Sequence, residues 1–284
     1  MIHNILKEEI RVPGTRADAY LETFFLEVTD SFTVQERPLV LVCPGGGYSH
    51  TSDREAEIVA MQFNAMGYHT AVLRYSCAPA VFPTALLELS RAMAYIREHA
   101  AEMRIDTERI AVLGFSAGGH LAASLGVFWN TEWFAKIRKE NGLRLAAEQI
   151  RPNGLILCYP VITSGEYAHR GSFDDLLGEE RRKDPFWLEK MSLEKQDLKD
   201  VPPVFMWHTS YDNAVPLENS LYFVTELVRV RKPVEYHIFP GDVHGMSLAD
   251  WRTRSDKRIM DTTAVQWVAL AHEWLEEWKN YIFG

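Results

Sequence analysis

Residues 109–120 read RIAVLGFSAGGH, and Gly114-Phe115-Ser116-Ala117-Gly118 fits G-x-S-x-G between an apolar strand pattern and the helical run HLAASLGVF. In that setting the pattern is a nucleophile elbow: small residues flank the serine because its backbone is forced into a tight, strained turn. The turn lifts the Ser116 hydroxyl above the strand and points the N–H of Ala117 at the same space. A serine hydroxyl is a weak nucleophile and needs a base that is itself held by a third group. After PVFMWH (203–208) comes TSYDNAVP, offering Asp212, and after PVEYHIF (233–239) comes PGDVHGM, offering His244. Asp242 shares the histidine's loop and would have to bend back on its neighbour. His208 and His237 lie within strand patterns and His272 on the last helix, so structural roles are expected for all three. His120 falls on the helix after the elbow and is expected to point away.

The stretch CPGGGYSH (43–50) follows the apolar run Leu39–Val42. Three glycines after a strand mean that backbone N–H groups approach something negative. A dinucleotide fingerprint needs G-x-G-x-x-G opening a helix, and a Walker loop needs Gly-Lys-Ser/Thr; neither is present. An oxyanion loop fits, in which glycine lets an acyl carbonyl come within hydrogen-bond distance of bare backbone. His50 in this loop could touch substrate.

These loops need a frame that brings strand ends together. LVLV (39–42), HTAVLRY (69–75), RIAVLGF (109–115), GLILCYP (154–160), PVFMWH and PVEYHIF are short apolar runs of the kind buried on both faces of a sheet. Thr23–Val28 alternates more loosely and reads as an added edge strand. Between them lie helical patterns. Ser52-Asp-Arg-Glu55 matches a capping box, followed by Ala56, Val59, Phe63 and Met66 on one face until Gly67. Leu86, Leu89, Met93 and Ile96 repeat that spacing, as do Leu217, Leu221, Val224 and Val228. Trp267, Leu270, Trp274 and Trp278 form a stripe that reads as core packing. Such alternation predicts a mainly parallel sheet with helices on both faces, with ligands beyond the carboxyl ends of the strands.

The chain has 284 residues, 47% hydrophobic and 24% charged, enough for one large α/β domain. Its net charge of −9 argues against a nucleic-acid partner. No stretch approaches the ~18 apolar residues of a membrane span. MIHNILKEEI lacks a signal peptide's order, so a cytoplasmic protein is expected. Cys43, Cys77 and Cys158 are odd in number and far apart, which predicts buried reduced thiols, not a disulfide or metal site. No cofactor is expected, and a homo-oligomer is left open.

Taken together, PGGGY, GFSAGGHLA, HTSYDNAVPLENS and FPGDVHGM resemble the α/β-hydrolase superfamily, and within it the bacterial esterases related to hormone-sensitive lipase and acetyl(xylan) esterases. The resemblance spans residues 39–250 and implies a single α/β-hydrolase domain over 1–284. It implies Ser116 as nucleophile, His244 as base, Asp212 as its orienter, and Gly46, Gly47 and Ala117 as oxyanion donors. Pro44 departs from the family's HGGG pattern, so whatever holds the loop must come from elsewhere.

The function read from these residues is a serine esterase working through an acyl-enzyme on a small-molecule ester. Rival readings are an arylformamidase, a small serine peptidase or amidase with the same triad, and a non-catalytic binding module. The short acyl group, most simply acetyl, is inferred from residues 163–200, a cap or rim insertion with 17 charged residues among 38. A lipase lid needs an exposed apolar face, whereas this segment has few anchors, such as Phe186 and Trp187. Tyr48 and Tyr159 are placed to narrow the acyl pocket or stack on a sugar.

Overall fold

The apolar runs become strands because Val, Ile, Leu and aromatic side chains fill both faces of a pleated sheet well. The computed structural model describes residues 1–254 and 262–277. Its strands are β1 (Ile2–Leu6), β2 (Tyr20–Phe25), β3 (Arg37–Cys43), β4 (His69–Arg74), β5 (Ile105–Phe115), β6 (Gly154–Cys158), β7 (Val204–Thr209) and β8 (Val234–Phe239). They form one sheet in the spatial order β1-β2-β4-β3-β5-β6-β7-β8. The β1–β2 and β2–β4 pairs are antiparallel; every other pair is parallel.

Helices α1 (Glu57–Ala65), α2 (Thr84–Glu98), α3 (Ala100–Met103), α4 (Ser116–Phe128), α5 (Glu132–Glu140) and α6 (Ala147–Ile150) accompany the first half. Next come α7 (Arg170–Arg181), α8 (Pro185–Met191), α9 (Glu218–Arg229) and α10 (Trp267–Glu277). Alternate residues of each central strand feed opposite cores. Leu39, Leu41 and Cys43 join Leu86, Leu89 and Met93 of α2 on one face. Val40 and Val42 join Val59 and Phe63 of α1 and Trp267 of α10 on the other. Two packed faces hold the sheet rigid, and its register aligns the carboxyl ends: Cys43 pairs with Gly114, Phe115 with Cys158, and Cys158 with Trp207. The loops bearing Pro44, Ser116, Tyr159, Asp212 and His244 therefore emerge along one rim.

Several sequence expectations need correction. The loosely alternating segment is β2, which starts at Tyr20, ends at Phe25 and lies second from the edge. The edge on that side belongs to β1, whose exposed residues carry no burial pattern to betray it, and β8 forms the opposite edge. Ser52 makes no capping bond; Asp53–Glu55 is a 3-10 turn ahead of α1, and Glu55 is turned inward. In α9, Leu221 and Val228 are exposed, and the buried positions are Asn219, Ser220, Phe223 and Leu227. The face is rotated because Asn219 earns its burial through hydrogen bonds: its side-chain oxygen accepts from the N–H groups of Ile162 and Thr163, 2.9 and 3.0 Å away. Trp267 and Trp274 are core residues, as the stripe suggested, while Trp278 lies outside the described residues.

Residues 163–200 carry α7, which is kinked at Gly178, then α8 and a 3-10 turn at Leu193–Lys195. Phe173, Leu176, Leu177, Met191 and Leu193 bury their side chains against the main body. Phe186, expected as an anchor, is 58% exposed; Trp187 packs against Phe82 with ring centroids 5.5 Å apart. Cys43, Cys77 and Cys158 are free and buried. Among the described residues no helix is long and apolar enough to cross a membrane, and no cluster of His, Cys, Asp or Glu could hold a metal ion.

Candidate active site

The elbow stands where the central strand β5 meets α4. Ser116 has φ 51°, a conformation costing about 1–3 kcal/mol for a residue with a side chain. Glycines on both sides make the turn fit. A Cβ on Gly114 would strike the carbonyl of Gly118, and one on Gly118 would strike the carbonyl of Cys43 at the end of β3. Ala117 occupies the first turn of α4, where backbone N–H groups have no partner inside the helix.

Asp212 and His244 reach the serine from the ends of β7 and β8. The His244 Nε2 lies 2.8 Å from Ser116 Oγ, and its Nδ1 lies 2.8 Å from Asp212 Oδ2. The other carboxylate oxygen of Asp212 accepts from the N–H groups of Ala214 and Val215, both at 2.9 Å, and the Asp212 side chain is fully buried. Burial pushes this carboxyl up, yet hydrogen bonds from His208 and His244 outweigh it and hold Asp212 well below the usual carboxylate range. An ionised Asp212 can only accept, so His244 carries its proton on Nδ1 and leaves Nε2 to accept from Ser116. Asp242, the rival acid, is exposed.

His208 braces this acid loop: Nε2 donates to Val215 O at 2.9 Å, and Nδ1 accepts from Ser220 Oγ at 2.7 Å. Its Nε2 also lies 3.4 Å from Asp212 Oδ2, close enough to add attraction to the carboxylate. His272 bonds the hydroxyl of Tyr68, and His237 pairs with Glu235, both remote from Ser116 in the bonds they make.

The oxyanion loop follows β3, with Gly46 at φ 126° and Gly47 at φ 67°. Gly45 packs so closely on the elbow that a Cβ there would sit 3.0 Å from the Cβ of Ser116. Three remote side chains do what a histidine at Pro44 would have done. Tyr75 donates its hydroxyl to Pro44 O at 2.8 Å, Glu55 Oε2 accepts the N–H of Gly45 at 2.9 Å, and Tyr48 bonds His120 at 2.9 Å. His120 does not point away: it is 1% exposed, and its Nε2 donates to Met191 O at 2.9 Å, so Nδ1 accepts from Tyr48. Burial pushes its pKa down to about 4, which keeps it neutral.

Tyr48 and Tyr159 therefore have different duties from those expected of them. Both rings are buried, 3% and 1% exposed, and neither offers a face for stacking on a sugar. Tyr159 donates its hydroxyl to Glu55 Oε1 at 2.7 Å and accepts the N–H of Ser247 at 2.7 Å. Glu55 thus joins the oxyanion loop to the segment just after His244. Arg54 adds a bond to Gly245 O at 2.7 Å. His50 is exposed on the loop, with Nδ1 3.0 Å from Ser49 Oγ.

Sequence reasoning missed His169. It stands just before α7 without capping it, binds Ser172 Oγ through Nδ1 at 2.8 Å, and brings Cε1 to 4.0 Å from the Cβ position of Gly47. Its position in a charge-rich insertion with no motif hid it.

A mainly parallel sheet with the elbow after its central strand, and acid and histidine following at later strand ends, defines the α/β-hydrolase fold. Within that class the chain belongs to the BD-FAE family, whose model matches residues 29–227. It is 36% identical over 219 residues to endo-1,4-beta-xylanase B of Butyrivibrio fibrisolvens, covering 76% of this chain and 33% of that protein. An acetylxylan esterase of Xylanibacter ruminicola is 25% identical over 222 residues, covering 77% of this chain and 43% of that one. The chain thus spans less than half the length of either relative. Among solved structures, an acetyl ester-xyloside bifunctional hydrolase from Caldicellulosiruptor lactoaceticus matches with a TM-score of 0.79 and 33% identity, covering 96% of each chain.

Proposed function

We propose that the protein is a serine esterase that removes short acyl groups, acetyl above all, from small polar or sugar alcohols. The observation that carries this reading is the unbroken chain of 2.8 Å contacts from Ser116 Oγ through His244 to Asp212. Ser116 Oγ attacks the acyl carbonyl while His244 Nε2 takes its proton, and Asp212 holds the imidazole in the required tautomer. The N–H groups of Gly46, Gly47 and Ala117 receive the oxygen as it becomes negative. Collapse of the tetrahedral intermediate expels the alcohol, which takes its proton from His244. Water, deprotonated by the same imidazole, then releases the acid and regenerates Ser116.

Two features support a short acyl group on a polar alcohol. Residues 163–200 carry 17 charged residues among 38, and Phe186 alone among their large apolar side chains is strongly exposed, too little to meet a lipid surface. The acetylxylan esterase and the acetyl ester-xyloside hydrolase point to acetylated sugars. The test is kcat/KM across acetyl, butyryl, octanoyl and palmitoyl esters of one phenol, together with acetylated xylo-oligosaccharides and formylkynurenine. Acetyl should lead the series and the sugar acetates should be cleaved. A maximum at octanoyl or longer, or no deacetylation of any sugar, contradicts the reading.

A further inference from the structure

His169 and its partner Ser172 bring the insertion against Gly47. Its Cε1 stands 4.0 Å, and the Oγ of its partner Ser172 3.8 Å, from where a Cβ on Gly47 would be. The charges of His244 and Asp212 also act on the His169 imidazole, which puts it in the same electrostatic neighbourhood as the triad. The tautomer follows from Ser172. That residue is 1% exposed, and the bond to His169 Nδ1 is the only side-chain hydrogen bond its hydroxyl makes among the described residues. A buried hydroxyl proton without an acceptor costs about 1–3 kcal/mol, so Ser172 donates to Nδ1 and the ring proton resides on Nε2. Nε2 is bonded to Cε1, the atom nearest Gly47, and no partner for it is found among the described residues. A fixed N–H donor is therefore held beside the loop that carries Gly47.

We propose that His169 is a specificity-determining residue whose Nε2–H donates to a hydroxyl or ether oxygen next to the ester oxygen of the alcohol. The inference rests on the esterase reading above and names its substrate class: esters of vicinal diols and sugars. The alcohol side follows from the chemistry: His244 must hand its proton to the departing alkoxide, so a donor beside Gly47 and within the electrostatic reach of His244 is placed to meet the alcohol as it leaves. Burial, then the neighbouring His244, push the pKa of His169 down while Asp212 pushes it up; the net lowering keeps the ring neutral, with a single defined donor. A neutral donor recognises a hydroxyl without attracting anions.

The test uses 2-hydroxyethyl acetate and propyl acetate, which differ by one hydroxyl in place of a methyl. Hydrolysis is followed by acid release for the wild type, His169→Ala, His169→Gln and Ser172→Ala. The wild type should prefer the hydroxy ester. His169→Ala should reduce that preference roughly five- to tenfold, the scale of one neutral hydrogen bond, with most of the loss in KM. His169→Gln, which retains an N–H donor, should restore part of the preference, and Ser172→Ala should lose part by freeing the tautomer. If both esters lose equally in His169→Ala, or the preference stays intact, His169 does not read the alcohol, while the esterase reading stands. If the wild type hydrolyses neither ester, the esterase reading falls and this inference with it.

Discussion

The elbow at 114–118 and the oxyanion loop at 44–50 lie against each other, yet they are held in opposite ways. The elbow specifies itself. Gly114 keeps clear of the carbonyl of Gly118 within the turn, Gly118 clears the carbonyl of Cys43 on the neighbouring strand, and β5 and α4 clamp both ends. The oxyanion loop borrows its rigidity from afar: Glu55, Tyr75 and His120 each tie it to a different element. A self-made turn leaves a motif in the sequence, whereas a borrowed one leaves isolated residues whose purpose appears only in three dimensions.

That contrast can be pressed experimentally. The largest effect should come from Gly118→Ala, which drives a methyl into the carbonyl of Cys43. Overpacking of this kind costs about 3 kcal/mol, so Tm should fall by several degrees and activity with it. A variant with wild-type Tm and rate would mean the turn tolerates what its packing forbids.

Glu55→Gln should act on rate more selectively. The carboxylate accepts from Gly45 N–H and from Tyr159 O–H, and an amide cannot accept both through separate oxygens. One buried donor is left unpaired at about 1–3 kcal/mol, and kcat should fall roughly ten- to a hundredfold with KM little changed. A rise in KM with kcat preserved would place Glu55 in substrate binding, not loop support.

Smallest at neutral pH, and seen only in acid, is a pH dependence through His120. The folded protein holds this ring neutral with a pKa near 4, whereas the unfolded chain takes up a proton near the reference value of ~6.5. The unfolded state therefore binds more protons between those values, so stability is full above about pH 6.5 and declines as pH falls toward 4. In His120→Gln the decline over that window should be shallower in urea titrations; an unchanged slope would show that His120 is not the group responsible.

The same contrast explains what was legible beforehand. The six parallel strands, the elbow and the order of Ser116, Asp212 and His244 rest on local patterns: apolar runs, paired glycines, polar residues just past strand ends. β1 escaped because its exposed residues form no apolar run, whereas β8, at the opposite edge, keeps one. Glu55 was read as a helix cap because Ser-x-x-Glu also begins helices, and the sequence does not state that Tyr159 and Gly45 would claim it. Tyr48 and Tyr159 were placed at the right strand ends but assigned to substrate, since only packing reveals that both rings point inward. His169 bears no motif; its signal is spatial proximity to Gly47.

The central claim is that Ser116 is the nucleophile. It is tested most directly by treating the protein with a diethyl phosphate ester of p-nitrophenol and mapping the adduct by peptide mass spectrometry. The account predicts one diethylphosphoryl group per chain, on Ser116, appearing in step with loss of acetyl ester hydrolysis and absent from Ser116→Ala. Stoichiometric labelling of any other residue, or full hydrolysis by a protein whose Ser116 is fully modified, would contradict it.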